Sequence, residues 1–292
     1  MAKCEILMSA ETQQKIRRYQ AFLQQNETKL EQVAGAHFRK QLEINGHSVK
    51  DMDLETFARL LVQSKIPKVF AESGVNHDTS DWTLQEEDIL GDISVDVEVD
   101  FYNDGGHGAS YKNHQQPIAA HLAYVPGALL RSDKSGTSAD LAEVIVDGKL
   151  DKERLNALYE RRLLPQLVQI SANAQQAGKK AAITVPGIGT GMFAGKYGGE
   201  IKQAFREALE NVLEKHQALL PAIDIVHYDP YNGDAAKARK IGHMDYRVCP
   251  SSAMKTTGQL VYPEGSSADT HTLTSFVAWD HFSGSMHNRV VV

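Results

Sequence analysis

"AAITVPGIGTGMFAGKYGGE", residues 181 to 200, is the stretch on which the fold turns. It opens apolar and strand-like, ends in a helical pattern, and between the two stand glycines at 187, 189, 191, 195, 198 and 199. Glycine loses more backbone freedom on folding than any other residue, so such a cluster points to a segment whose main chain must be bare. Its surroundings give the loop a place. Residues 151–177 read as a helix capped by Asp151, with Pro165 kinking or dividing it and Gly178 ending it. Then come strand 181–186, the loop, a helix over 200–217 carrying Ile201, Phe205, Leu209, Val212 and Leu213, and the strand "AIDIVHYD" at 222–229. Strand, helix and strand at this spacing predict a parallel β-α-β unit. A loop so placed lies at the carboxyl edge of the sheet, where ligands of open α/β folds bind. Its amides and the positive helix end suit an anion, phosphate above all. A plain surface loop explains the same glycines without a ligand.

Two phosphate loops fit poorly. A P-loop needs Gly-Lys followed by Ser or Thr, but Lys196 is followed by Tyr197. A dinucleotide fingerprint needs G-x-G-x-x-G in a tight first turn, whereas Gly187, Gly189 and Gly191 give G-x-G-x-G in a long loop.

Working outward, residues 9–45 read as one helix capped by Ser9, with Ile16, Tyr19, Leu23, Leu30, Val33 and Phe38 at three- and four-residue steps, and Gly46 ending it. A second helix is expected from Asp53 to Ser64, and "ESGVNHDTSDWTLQEED" (72–88) reads as loop. From 91 the period becomes two: Ile93, Val95, Val97, Val99 and Phe101 alternate with Ser94, Asp96, Glu98 and Asp100. That is a strand with one buried and one acidic face, near a sheet edge. "IAAHLAYVPGALL" suits strand or short helix, and "TLTSFVAWD" (272–280) reads as a strand.

The composition is that of a soluble globular protein, 292 residues with 42% hydrophobic and 23% charged. With 31 basic against 37 acidic residues and no basic run, nucleic acid is excluded as a principal partner. No apolar run approaches a membrane span and no secretory signal opens the chain, which predicts a cytoplasmic protein. Cys4 and Cys249 stand alone, without a ligand cluster, so neither a disulfide framework nor a metal site is expected. Elbow, zincin and C-x-x-C motifs are absent.

"VPGIGTGMFAG" resembles the second ligand loop of macro domains, the ADP-ribose-binding fold, in which such a run wraps the diphosphate. "GDIS" (91–94) is similar to the opening whose aspartate receives the adenine amino group, "NDGGHG" (103–108) to a shortened loop around the distal ribose, and "IVHYDPY" (225–231) to the strand end that offers an aromatic ring. The matches keep the family's chain order over roughly 85–235. Departures are that Phe101-Tyr102-Asn103-Asp104 replaces Asn-Ala-Ala-Asn and that only Gly105-Gly106 stands for a triple glycine. "FYNDGGHGASYKN", the helical extension and "WDHFSGSMHN" look closest to MavL-type macro domains of bacterial effectors.

The resemblance implies a three-layer α/β/α macro-type domain with a mixed sheet over 85–292, preceded by a helical extension over 1–70. It implies ADP-ribose, or an ADP-ribosylated protein such as ubiquitin, as partner, with no cofactor and no metal. Asp92 and Ile93 would read adenine; Gly187, Ile188, Gly189, Thr190, Gly191, Met192 and Phe193 would hold the diphosphate; Asn103, Gly105 and Gly106 would flank the distal ribose; Tyr228 would stack. The implied reaction removes ADP-ribose from a protein side chain, in that subgroup from arginine, with the site of action in a host cytosol if the chain is exported. Such chemistry needs a carboxylate to orient water or stabilise an oxocarbenium-like ribose, so Asp104, Asp269 and Asp280 are candidates, with His107 as a proton-transfer partner. Each has a plainer alternative: turn residue for Asp92, Asn103, Asp104 and Asp269, cap for Asp280, core for Tyr228. A non-catalytic reader of the modification and a nicotinamide-dependent oxidoreductase are the rival functions.

Overall fold

The computed structural model describes residues 4–66, 74–106, 111–132, 136–231, 236–249 and 259–283. In chain order the elements are β1 (Cys4–Leu7), α1 (Ala10–Gln25), α2 (Leu30–Val33), α3 (Ala36–Asn45), α4 (Leu54–Gln63), α5 (Leu84–Asp92), β2 (Ser94–Asn103) and β3 (Asn113–Pro126). There follow α6 (Ala139–Val144), the short pair β4 (Ile145–Val146) and β5 (Lys149–Leu150), α7 (Lys152–Gln176), β6 (Lys180–Pro186) and α8 (Gly198–His216). β7 (Ile223–Asp229), β8 (Lys237–Ile241), β9 (Met244–Val248) and β10 (His271–Trp279) complete the set.

Eight strands form one mixed sheet in the order β1-β2-β3-β10-β6-β7-β9-β8. β3, β10, β6, β7 and β9 run parallel, while β1, β2 and β8 lie antiparallel to their neighbours. Helices cover both faces. On one, α7 and α8 bury Leu163, Leu167, Phe205 and Leu209 against Ile183, Val185 and Val226. On the other, α1, α3, α4 and α5 bury Ile16, Phe38, Leu61 and Leu90 against Val95, Leu122, Leu273 and Trp279. This is the three-layer α/β/α arrangement expected, with a mixed sheet.

The boundaries differ where side chains make long-range bonds. The single helix expected over 9–45 is broken into α1, a 3-10 turn (Glu27–Lys29), α2 and α3. At the last break the Gly35 amide leaves the helical ladder to donate to the buried Glu86 carboxylate, 3.0 Å away, which also accepts from the Tyr19 hydroxyl. Part of the segment read as loop is α5, started by a capping box in which Thr83 and Glu86 exchange side chain-to-backbone bonds. Pro165 removes one helical donor but α7 runs through it. β2 lies near the sheet edge as expected, with β1 pairing alongside it only from Cys4↔Val97 to Leu7↔Ser94.

The helical segment therefore shares its core with the sheet, and β1 belongs to the sheet itself. Phe38→Ala, which empties a fully buried site beneath α3, is expected to lower stability by about 3–5 kcal/mol. Calorimetry should still show one cooperative transition, and a separate early transition would mean that the helices fold on their own.

Candidate functional site

The sheet register brings four strand ends to one edge: Pro126 of β3, Pro186 of β6, Asp229 of β7 and Trp279 of β10. The loops that follow β3 and β6 are locked together there. A Cβ at Gly127 would lie 2.5 Å from the Gly189 nitrogen, and one at Gly189, where φ is +74°, would lie 2.5 Å from the Tyr159 hydroxyl. Neither position tolerates a side chain, so part of the glycine requirement is close loop packing. Tyr159 is the clasp: its buried hydroxyl accepts from the Ala128 amide at 3.2 Å and donates to the Ile188 carbonyl at 2.8 Å. Leu130 N–H donates to the Phe193 carbonyl at 2.7 Å, and Gly127 N–H to that of Trp279 at 3.0 Å.

Beyond this clasp the second loop turns outward. Ile188 is core, but Gly191 and Met192 are exposed, and nothing lies within 4 Å of where a Gly191 Cβ would stand. The Gly189 and Gly191 amides donate to no group among the described residues. The Thr190 hydroxyl donates to the Gly187 carbonyl at 2.9 Å, closing the turn, and Phe193 is buried outside both core clusters. The 3-10 turn Met192–Tyr197, broken at Gly195 where φ is +50°, leads from the loop to α8.

A buried ion cluster fixes the first loop from behind. On α7, Arg161 and Arg162 are consecutive and both buried. Arg162 Nη2 lies 2.5 Å from Asp140, and its Nε lies 3.1 Å from Asp92. Arg161 Nε reaches Asp92 at 2.6 Å, and Lys15 Nζ reaches it at 2.8 Å. Asp140 also accepts from the Leu129 amide at 2.8 Å and contacts His281 Nε2 at 3.0 Å. Burial opposes ionisation of Asp92 most strongly, yet Arg162, Arg161 and Lys15 hold its carboxyl below the usual range. Asp140 behaves likewise: burial is the largest influence, and Arg162 and His281 overcome it to hold the carboxyl far below that range.

The predicted site residues divide accordingly. Asp92 stands at the end of α5 rather than in an open strand start, with both carboxylate oxygens taken by cations, and Ile93 is wholly inside the core. Tyr228 is a core residue, 1% exposed with its ring 6.0 Å from that of Phe205, so it is not free to stack on a ligand. An exposed aromatic at that strand end is Tyr231, whose backbone N–H donates to the Asp229 carboxylate at 2.7 Å. Asn103 and Asp104 close an Asx turn, accepting from the amides of Gly105 and Gly106, and Asp104 also accepts from Lys112 N–H at 2.8 Å. That turn ends β2 where Asn103 pairs with Asn113, far along the strand from the edge with the glycine loop. Leu260 packs on Gly105, while its neighbour Gln259 accepts from Thr184 on β6. Asp269 is exposed in the turn before β10, at the opposite sheet edge from the loop. Asp280 does lie at the carboxyl edge, where its carboxylate accepts from the Phe282 and Ser283 amides and the Ser283 hydroxyl, the capping alternative. His107 lies outside the described residues.

The first loop and its supports went unread in the sequence. One signal was available: Val125-Pro126-Gly127 and Val185-Pro186-Gly187 repeat the same tripeptide at two strand ends. Another was the charged pair Arg161-Arg162 among apolar helix positions, which only a buried anion could accommodate.

Paired strand-end loops, locked at the carboxyl edge of a mixed sheet between two helical layers, fit a macro domain, and the family comparison shows one. More particularly, the chain belongs to the family of the macrodomain effector MavL, whose model matches residues 4–286. No curated protein matches it. Among the described residues no group of three His, Cys, Asp or Glu is arranged to hold a metal ion, and no helix is long and apolar enough to cross a membrane.

The ion cluster makes two tests. Arg162→Met removes the cation shared by two buried carboxylates and is expected to lower stability by about 3–5 kcal/mol in urea unfolding. The carboxyls of Asp92 and Asp140 titrate lower in the fold than in the unfolded chain, so their contribution is complete above about pH 4 and is lost as pH falls through the folded values. Asp88 and Glu143 are shifted up, chiefly by burial, and act in the opposite sense. Asp140→Asn should flatten the fall in stability below pH 4; an unchanged slope would remove Asp140 from the account.

Proposed function

We propose that this macro domain binds ADP-ribose at the carboxyl edge and hydrolyses the bond joining it to a protein side chain. The observation that carries the reading is the outward half of the glycine loop. Its Gly191 amide is exposed and has no partner among the described residues, and open space stands beside it. Bare main-chain amides in a glycine-rich loop are complementary to a diphosphate. Tyr231, exposed after β7, is better placed than Tyr228 to offer its ring to the adenosine half. Asp92 serves the same end indirectly: it holds Arg162, which holds Asp140, which holds the Leu129 amide of the facing loop.

For the bond cleavage, Asp280 is the member of the expected carboxylate set that shares an edge with the loop. Its turn-closing bonds make it a positioning residue for Asp280–Ser283. Family membership as an effector supports a protein target, and ADP-ribosylated arginine of ubiquitin, met in a host cytosol, is the substrate we favour.

Gly191 is the position to vary, because a side chain there meets no protein atom. Gly191→Val, with its unfolding transition measured alongside to show an intact fold, should weaken ADP-ribose binding by about ten- to a hundredfold in calorimetry, the worth of one or two hydrogen bonds to a charged group. Incubation with an arginine-ADP-ribosylated ubiquitin should release free ADP-ribose. Retention of the label on a bound substrate would make the protein a reader, and unaltered binding by Gly191→Val would remove the loop from the site.

A further inference from the structure

Away from the glycine loop, the sheet has a second open feature. β10 pairs with β3 only from Thr274↔His121 onward, whereas β2 pairs with β3 down to Asn103↔Asn113. β3 before His121 is thus paired on one side, and among the described residues its other edge receives no backbone hydrogen bond. Beside that edge is a groove of about 1100 Å³, closed on its far side by Tyr262 and the start of β10. Its lining includes Val99 and Ile118, which face the α1–α4 layer, and Glu98 and His121, which face the opposite way. Side chains alternate across a strand, so a lining drawn from both faces means that the groove lies in the plane of the sheet. It has the shape of a missing strand.

Carboxylates outnumber cations beside it. Glu98 and Asp100 line the groove and are exposed, and a smaller cavity of about 310 Å³ continues from it past Glu98 and His121 to Glu5 and Asp96. Asp96 is buried; its Oδ2 bonds to His121 Nδ1 at 2.7 Å, while its Oδ1 has no hydrogen-bond partner among the described residues. A buried carboxylate oxygen without a donor is costly, and a donor from outside would relieve it. Lys179, the lysine in the groove lining, donates to the Ala268 carbonyl at 2.6 Å. Pro117 on the open edge lacks an N–H and so discourages open-ended pairing with a second copy.

We propose that this slot receives an extended basic segment of a protein partner, added as a strand beside β3 with Arg or Lys side chains directed to Glu98, Asp100 and the Asp96 pocket. Main-chain bonds to the edge would supply affinity, and the carboxylates would select the sequence. The site is separate from the glycine loop and does not depend on the ligand assigned there.

A fluorescent ten-residue peptide of alternating Arg and Val tests it by anisotropy, with hydrogen exchange read along Gln116–Ala120. The expected result is saturable binding, slower exchange at those amides, and no binding by the same peptide with Glu in place of Arg. The double variant Glu98→Lys/Asp100→Lys should weaken binding by about tenfold, since each partner charge is exposed and partly screened. ADP-ribose titrations run in parallel should be unaffected, so failure here is distinct from failure at the loop. Absence of peptide binding, binding with unchanged exchange at 116–120, or a concentration-dependent dimer that protects those amides instead would overturn the proposal.

Discussion

Arg162 is placed where no solvent reaches it, between Asp92 at the end of one helix and Asp140 near the start of another. A guanidinium there is tolerable only if its donors are met by anions in fixed positions, and the two carboxylates are equally dependent on it. That mutual dependence joins α5, α6 and α7 at one point. Through Lys15 it takes in α1, through His281 the end of the central strand, and through the Leu129 amide the loop after β3. Hydrophobic burial holds the layers together, but it has no direction. The ion cluster supplies direction, because each charge accepts one geometry and a shift of any helix leaves a charge stranded.

The loops at the carboxyl edge inherit that precision. The β3 loop is pinned from behind by Asp140, and the β6 loop is pinned to it by the Tyr159 hydroxyl and by contact between Gly127 and Gly189. Rigidity at the base leaves the outer half, around Gly191, with its amides set in advance for whatever binds. Preset donors lose little entropy on binding, which is how a glycine-rich segment serves recognition despite its flexible composition.

The sequence carried the sheet-forming strands well, because alternation in β2 and the apolar runs of β6 and β7 are signals of local chemistry. It carried the glycine loop too. It did not carry Asp92: a short motif at a strand start resembled a base-reading aspartate, whereas three cations remote in sequence claim its oxygens. Tyr228 failed similarly, since register decides which of two aromatics near a strand end faces the core, and Tyr231 is the one outside. The break at Gly35 was invisible because its cause, Glu86, lies fifty-one residues away. The box formed by Thr83 and Glu86 was legible and overlooked, being embedded in a polar stretch without period. What is local can be read from a sequence; what depends on a distant charge cannot.

β10 lies between β3 and β6, in the middle of the sheet, although it follows every other described strand along the chain. Until it emerges from the ribosome, the strands already made form two half-sheets whose facing edges have nothing to pair with. Such a topology rules out stepwise completion from the front and makes closure a late, long-range event, slow by its contact order. A nascent chain of this kind stays pliable through most of its synthesis, and it commits to one shape only when its central strand arrives.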